Sequence, residues 1–330
     1  MNKTDLKTPW VEKYRPKTFN EIVSQSIAID NLKDFVKSGE DMPHMIFSGP
    51  AGTGKTSTAL IISSKLIPQE DYYQNVLELN ASDTVRMDFV RKELQDFVQQ
   101  NMIIGNESQK LVILDEADNI PKTVQQTLRR IIEGSPNKVK FILMCNYIDQ
   151  IIDPIISRCA VFRFVKLPED KIVKRLKYIA KQENLSIAKD KEEEFFKTLF
   201  FISEGDLRKA INTLQMSVAL ELLEDLNINE ILKISGFVEE PVVESLIKSF
   251  NHLDFTQSRE ILHKIDIFDS RNFIRQISEN ISQVDNLTTL KETKIRAMLG
   301  DVDFYVSQGA DKRIQILALL ANLIDFLKNN

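Results

Sequence analysis

The sequence predicts an α/β domain with a parallel sheet, followed by a region built only of helices. Up to residue 167, short apolar runs typical of buried strands alternate with amphipathic segments, which is the pattern of α/β domains. From Pro168 onward the apolar residues recur with helical spacing alone. A glycine-rich loop, residues 49–56, also follows a predicted strand and precedes a predicted helix. These observations predict a three-layer domain with a phosphate-binding loop.

Five segments are predicted as strands because they are short, apolar and bounded by turn or polar residues. They are residues 44–49, 76–80, 110–116, 140–146 and 161–167. The last of them alternates apolar and polar residues, which favours an edge strand or the exit from the domain.

Four amphipathic helices are predicted among these strands, at residues 26–38, 54–66, 84–101 and 121–133. The fourth begins with Pro121 and ends before Gly134, as is typical of helix limits.

Beyond residue 167, longer helices are predicted at residues 169–183, 190–202, 206–220, 240–251, 255–267, 270–283, 287–307 and 311–328. Residues 225–236 interrupt the helical period with Asn227, Asn229 and Gly236, which indicates a weaker boundary. We therefore expect three domains, at residues 1–167, 168–230 and 231–330.

Composition excludes several classes of protein. A chain of 330 residues with 43% hydrophobic and 28% charged residues is an ordinary folded protein of two or three domains. It contains no apolar run near the ~20 residues that span a bilayer and no N-terminal signal peptide, so no membrane association is expected. The net charge of −5 argues against coating nucleic acid by bulk charge, so such binding needs a local basic patch.

The cysteines and histidines do not indicate a metal site. Cys145 and Cys159 are too few for a disulfide framework or a four-ligand zinc site. The three histidines, His44, His252 and His263, are far apart in sequence, so ordinary structural roles are expected.

The loop GPAGTGKT, residues 49–56, matches the phosphate-binding pattern G-x-x-x-x-G-K-[ST] in its required context. Its glycines leave backbone N–H groups free to surround an anion at the start of a helix. Lys55 is expected to reach the β and γ phosphates and Thr56 to hold Mg²⁺. Residues Gly49, Pro50, Ala51, Gly52, Thr53, Gly54, Lys55, Thr56 and Ser57 are the predicted loop contacts with ATP.

LVILDEAD, residues 111–118, is a buried strand with two carboxylates at its carboxyl end, where ligands bind in α/β sheets. Asp115 is the expected partner of Mg²⁺, and Glu116 the residue that polarises the attacking water. Asn146, which ends the fourth predicted strand, could orient water or contact the γ phosphate, although a turn asparagine is the alternative.

Eight segments occur in an order that resembles the small subunits of replication factor C, the AAA+ sliding-clamp loaders. They are PWVEKYRPKTFNEIV (9–23), GPAGTGKTS, LNASD (79–83), LVILDEAD, LRRIIE (128–133), CNY (145–147), SRCAVFRF (157–164) and EGDLRKAINTLQ (204–215). The resemblance extends from residue 9 to about residue 220, and the final hundred residues are similar to the family's collar in helical content and position only.

The resemblance implies an AAA+ module, a helical lid and an all-α collar. It also implies an ATPase that works in a hetero-pentamer with other clamp-loader subunits, opens the sliding clamp and grips primer-template DNA. Its location would be nuclear in a eukaryote and cytoplasmic otherwise.

The resemblance further assigns roles to residues outside the loop. Arg158 of SRC is implied to be the arginine finger, given in trans to a neighbour's ATP. Arg208 is implied to contact phosphate from the lid, and Asn146 to sense the γ phosphate. The segment that packs near the adenine is implied to comprise Val11, Tyr14, Arg15 and Pro16.

DNA and clamp contacts are expected at the surface. The candidates for backbone phosphates are Arg86, Arg91, Arg129 and Arg130. Met102, Ile103 and Ile104 form an apolar group that could dock in a clamp groove, with packing on their own sheet as the alternative.

One position departs from the family pattern. After LNASD the family places an arginine thought to link DNA binding to the catalytic glutamate, and this chain has Val85 followed by Arg86. A structural ATP-binding subunit with little hydrolysis therefore stays open as an alternative. A subunit of a checkpoint clamp loader is the other alternative, since the family's small subunits are shared among such complexes. A two-lobed helicase is disfavoured because residues 168–330 offer only helices.

Overall fold

The computed structural model describes residues 8–38, 42–81, 92–99, 109–135, 137–223, 226–265, 268–285 and 287–329. The chain divides into two compact units. The first consists of Met1–Leu185 and Leu199–Met216, and the second of Ser186–Thr198 and Ser217–Asn330. The division into three domains at residues 167 and 230 stays a prediction.

The first unit contains a five-stranded sheet with the order β2-β3-β4-β1-β5. All neighbouring strands are parallel. The strands are β1 His44–Ser48, β2 Val76–Asn80, β3 Lys110–Asp115, β4 Val139–Cys145 and β5 Cys159–Arg163. The predicted α/β class is confirmed.

Strand β5 lies earlier than the predicted residues 161–167. Its ladder with β1 runs from His44 opposite Cys159 to Ser48 opposite Arg163. The ladder ends at this pair because β1 ends at Ser48, where the glycine-rich loop begins, and no β1 residue lies opposite the residues after Arg163. The prediction that this segment is an edge strand agrees with its place at the end of the sheet.

Helices cover both faces of the sheet because successive side chains of a strand point to opposite sides. Met45 and Phe47 of β1 pack in one cluster with helices Ser26–Ser38 and Lys55–Leu66. Ile46 packs in the other cluster, with residues 92–99 and helix Lys122–Gly134. Three layers result, as predicted.

The other helical elements up to residue 219 are Trp10–Lys13, Phe19–Glu21, Gln69–Asp71, Tyr72–Asn75, Ala117–Asn119, Ile148–Gln150, Asp153–Ile156, Glu169–Gln182, Glu192–Ser203 and Leu207–Ala219. Of the predicted helix 84–101, residues 92–99 are helical and the remainder lies outside the described residues.

The later helices are Ile228–Ile234, Glu240–Asn251, Phe255–Lys264, Ser270–Asn280, Ile281–Gln283, Thr289–Ser307 and Lys312–Asn329. From Glu240 onward they enclose one apolar cluster that includes the fully buried Phe250, Ile277 and Leu320. The short helix Ile228–Ile234 was not predicted. It forms because the Asn227 side chain accepts from the N–H of Asn229 at 3.1 Å and caps its first turn.

Candidate nucleotide site

Three neighbouring strands bring the predicted site residues to one edge of the sheet. The glycine-rich loop follows β1, Asp115 ends β3, and Asn146 follows β4. The ladder pairs Ser48 with Cys145, and the Gly49 N–H donates to the Cys145 carbonyl at 3.1 Å. The carboxyl ends of parallel strands are where ligands bind in such sheets.

The loop adopts a backbone that requires glycine, most clearly at its second and third glycines. Gly52 has φ of 68° and Gly54 has φ of 100°, both in the left-handed region. A Cβ atom on Gly52 would also lie 1.7 Å from Oδ1 of Asp206. The Thr53 hydroxyl donates to the Pro50 carbonyl at 2.8 Å and closes the turn.

Lys55 extends into this loop and is only 8% exposed. Its Nζ donates to the carbonyls of Gly49 at 2.5 Å and Pro50 at 2.8 Å, and to Oδ1 of Asn146 at 3.1 Å. Burial lowers the pKa of Lys55, while the negative charge of Asp115 opposes that shift. A desolvated ammonium group in an oxygen-lined loop suits a phosphate ligand.

Thr56 and Asp115 supply oxygen atoms beside the loop. The Thr56 Oγ1 donates to Oδ2 of Asp115 at 3.1 Å, and Oδ1 of Asp115 accepts from the Glu116 N–H at 2.9 Å. A hydroxyl and a carboxylate are ligands that suit Mg²⁺, which usually binds one or two protein groups together with substrate phosphates. Among the described residues no cluster of three or more His, Cys, Asp or Glu forms an all-protein metal site.

Glu116 lies in the left-handed region with φ of 53°, which turns the chain at the end of β3. Its Oε2 accepts from Nδ2 of Asn119 at 3.1 Å. The carboxylate lines the same cleft as Lys55 and Thr56.

The cleft has an empty volume of about 1000 Å³, including open solvent, and every residue that lines it belongs to the first unit. The predicted site residues that line it are Val11, Tyr14, Arg15, Pro16, Ala51, Gly52, Thr53, Gly54, Lys55, Thr56, Ser57, Asp115, Glu116, Asn146 and Arg208. Gly49 and Pro50 contribute the carbonyls that hold Lys55. Residues that the sequence did not indicate are Ile22, Val23, Cys145, Leu167, Arg175, Leu207 and Ile211.

The N-terminal segment is fixed by residues far away in sequence. Tyr14 donates its hydroxyl to Glu183 at 2.5 Å, and Arg175 donates to the Tyr14 carbonyl at 2.9 Å. Burial, followed by the hydrogen bond with Glu183, raises the pKa of Tyr14, so this hydroxyl remains a donor. Trp10 is fully buried, and its backbone N–H donates to Oε1 of Gln215 at 2.9 Å. These contacts hold the segment at one side of the cleft.

Asp118 is a residue whose role the sequence analysis missed. Its Oδ2 accepts from the N–H groups of Asn146 at 3.0 Å and Tyr147 at 3.1 Å, and the residue is 8% exposed. It therefore fixes the turn that carries Asn146. Asp118 is the last residue of LVILDEAD, so the sequence contained a signal, but only the fold brings its carboxylate to the end of β4.

The predicted surface arginines lie elsewhere. Arg158 is exposed and, among the described residues, is not one of those that line the cleft. Arg129 and Arg130 lie on helix Lys122–Gly134. Arg86, Arg91, Met102, Ile103 and Ile104, together with Val85, lie outside the described residues.

Two family models match the chain. The model of the "ATPase family associated with various cellular activities (AAA)" matches residues 45–167, and that of the "Replication factor C C-terminal domain" matches residues 238–322. The first match contains the loop, Asp115, Glu116 and Asn146.

Curated relatives match almost the whole chain. A replication factor C small subunit 1 from Pyrobaculum aerophilum is 39% identical over 95% of this chain and 93% of its own. The replication factor C small subunit from Archaeoglobus fulgidus is 38% identical over 97% and 98%. That from Methanosarcina barkeri is 35% identical over 95% of each chain.

Among solved structures, the fold is similar to that of the Thermotoga maritima RuvB Holliday junction branch migration motor. The TM-score is 0.52 at 17% identity, over 72% of this chain and 79% of that one. At this identity the likeness concerns the fold alone.

Proposed function

This chain belongs to the replication factor C small-subunit family, as an ATPase subunit of a clamp loader in DNA replication, and on that premise we propose which residues perform the reaction. The convergence of the glycine-rich loop, Asp115, Glu116 and Asn146 on one cleft is the observation that supports the proposal most.

ATP binds with its phosphates in the loop Gly49–Ser57 and its adenine against the segment of Val11, Tyr14, Arg15 and Pro16. Lys55 contacts the β and γ phosphates, and its position at 3.1 Å from Asn146 supports a shared γ-phosphate site. Arg208 lines the cleft from the start of helix Leu207–Ala219, which suits a phosphate contact from the lid.

Thr56 and Asp115 would hold Mg²⁺, as their 3.1 Å contact and the oxygen atoms of both side chains support. The ion would neutralise charge on the phosphate oxygens. Lys55 and Thr56 are adjacent in sequence, so the loop places the ammonium group of Lys55 and the hydroxyl oxygen of Thr56 close together.

Glu116 orients and deprotonates the attacking water. Arg158 of this chain completes the site of a neighbouring subunit, which fits its exposed position away from the cleft of its own chain. An arginine suits that role because its fork carries a permanent positive charge that stabilises the transferring phosphoryl group.

The assembly is a hetero-pentamer that opens a sliding clamp and loads it on primer-template DNA. Arg129 and Arg130, on helix Lys122–Gly134, contact backbone phosphates, and Arg86 and Arg91 are further candidates. Met102, Ile103 and Ile104 dock in the clamp. Within the described residues, no helix is both long enough and apolar enough to cross a membrane.

The relatives named above come from archaea, cells without a nucleus, and they lend the nuclear location no support. We place the protein in the cytoplasm of such a cell. A checkpoint loader has no specific observation in its favour. A structural ATP-binding subunit is favoured only by Val85.

The test uses the clamp loader assembled from this chain and its partner subunits. Single-turnover ATP hydrolysis and the loading of a labelled clamp onto primer-template DNA are measured for the unchanged chain and for Glu116→Gln. Removal of a general base is expected to slow hydrolysis roughly 10²–10⁴-fold while ATP binding remains. If Glu116→Gln hydrolyses ATP as fast as the unchanged complex, this site is structural.

A further inference from the structure

Arg158 is held by contacts on both sides of its guanidinium group. Its NH1 donates at 2.6 Å to the carbonyl of Pro154, in helix Asp153–Ile156, which ends two residues before Arg158. Its NH2 lies 2.5 Å from Oε1 of Glu133, at the end of helix Lys122–Gly134. The pair joins two elements that are 25 positions apart in sequence, so it fixes the arginine relative to the body of the domain.

The carboxylate of Glu133 has a second cationic partner. Nε of Arg129 donates to the same oxygen, Oε1, at 2.8 Å, one helical turn away. This hydrogen bond, then the charges of Arg129, Arg158 and Arg130, lower the pKa of Glu133. The carboxylate of Glu133 therefore stays ionised. The hydrogen bond from Arg129 also restricts the Glu133 side chain to a rotamer in which its carboxylate contacts Arg158.

The C-terminal end of a helix is an unfavourable place for a carboxylate, because the helix dipole is negative there. Glu133 occupies the last turn of its helix, next to Gly134. The two arginines compensate for this position. The position of the Glu133 carboxylate is thus better explained by its ion pair with Arg158 than by any contribution to the stability of its own helix.

We propose that Glu133 is a positioning residue for Arg158, which orients the guanidinium fork at the subunit edge so that it meets the γ phosphate of the neighbouring subunit. This inference rests on the proposed role of Arg158 as an arginine finger. Glu133 does not touch the nucleotide and acts through Arg158 alone. Its removal should therefore lower the rate of the chemical step without changing the affinity for ATP.

The test is a double-mutant cycle in the assembled clamp loader, with Glu133→Gln, Arg158→Ala and the double variant in this chain. Glu292→Gln is the matched control, since Glu292 accepts from Arg296 in another exposed pair four residues apart, at 2.8 Å, in the second unit. Steady-state kcat and KM for ATP hydrolysis are measured, with the thermal midpoint of each variant as a check on folding.

Arg158→Ala is expected to lower kcat roughly 10³-fold, as loss of an arginine finger does. Glu133→Gln is expected to lower it roughly 5- to 50-fold with KM unchanged, because misplacement of a reacting group by about 1 Å costs up to ~10²-fold. In the Arg158→Ala background, Glu133→Gln should have no further effect. The control should match the unchanged complex.

Two results would overturn the inference and leave the finger in place. One is a normal kcat for Glu133→Gln while Arg158→Ala loses activity. The other is an equal loss from Glu133→Gln with and without Arg158, which would mean that Glu133 acts by another route. If Arg158→Ala itself keeps full activity, the finger assignment fails, and Glu133 has nothing to position.

Discussion

The hydroxyl of Thr56 donates to the carboxylate of Asp115 at 3.1 Å, although 59 positions separate the two residues in sequence. The first stands at the start of a helix and the second at the end of β3. Their contact joins the loop to the centre of the sheet, and it brings together the two residues proposed to hold Mg²⁺.

Thr56→Ala removes one of these two oxygen donors. The half-saturating Mg²⁺ concentration for ATP hydrolysis is expected to rise roughly tenfold. Such a rise corresponds to a loss of about 1.4 kcal/mol of binding free energy, which is the size expected for one polar contact. Thr56→Ser retains the hydroxyl and should restore the original Mg²⁺ dependence. A Mg²⁺ titration that is identical for the unchanged chain and Thr56→Ala would contradict the assignment.

Lys55→Ala should weaken ATP binding. Hydrogen bonds to charged groups contribute about 1.5–3 kcal/mol, which corresponds to roughly 10- to 150-fold in affinity. Calorimetric titration with a non-hydrolysable ATP analogue measures the change. Lys65→Ala is the control, because Lys65 is exposed at the other end of the same helix. Equal affinities for both variants would show that the ammonium of Lys55 does not contact the nucleotide.

Gly52→Ala should destabilise the loop. Its φ of 68° costs an L-residue about 1–2 kcal/mol, and the added Cβ would collide with the Asp206 carboxylate. Both the thermal midpoint and ATP affinity are expected to fall. Gly300→Ala provides the opposite case, because Gly300 lies in a helix and nothing is within 4 Å of the position of an added Cβ. The free energy of unfolding is expected to increase by about 0.5–1 kcal/mol.

Asp118→Ala removes the carboxylate that accepts from the N–H groups of Asn146 and Tyr147. A hydrogen bond to a charged group contributes about 1.5–3 kcal/mol, so the urea midpoint should fall. Hydrolysis should fall as well, because Asn146 loses the anchor of its turn. Asp149→Ala, at an exposed carboxylate two residues after Tyr147, is the control and should change neither quantity.

His44 makes stability depend on pH. Burial lowers its pKa from 6.5 to about 4, and Nδ1 accepts from the Phe141 N–H at 3.2 Å. Between pH 6.5 and 4 the His44 ring is protonated in the unfolded chain but stays neutral in the folded chain. The free energy of unfolding therefore falls as pH falls through this window, by on the order of 1–3 kcal/mol.

Urea titrations at several pH values measure this loss. His44→Gln keeps an acceptor without a titrating ring, so it should lose less stability between pH 6.5 and 4 than the unchanged chain. His252→Gln, at an exposed histidine of the second unit, should follow the unchanged chain. A His44→Gln profile parallel to that of the unchanged chain would contradict the role of His44.

The sequence predicted the loop and its chemistry because a phosphate-binding loop is a local structure. Lys55 and Thr56 are adjacent in sequence, and the glycines that shape the backbone lie within seven residues of them. Asp115 and Glu116 were found for the same reason, since a buried apolar strand reveals where its carboxyl end lies. The helical second half was predicted from its period alone, to within a few residues at most helix ends.

What the sequence could not provide is the pairing of residues across elements. The strand order belongs to the tertiary structure, and the place of β5 is decided by where its partner β1 ends. Asp118 contacts the turn after β4, and Glu133 contacts Arg158, only because the fold brings separate elements together. Hydrogen bonds and ion pairs act over about 3 Å, so only the packed tertiary structure selects these partners from the many polar residues in the chain.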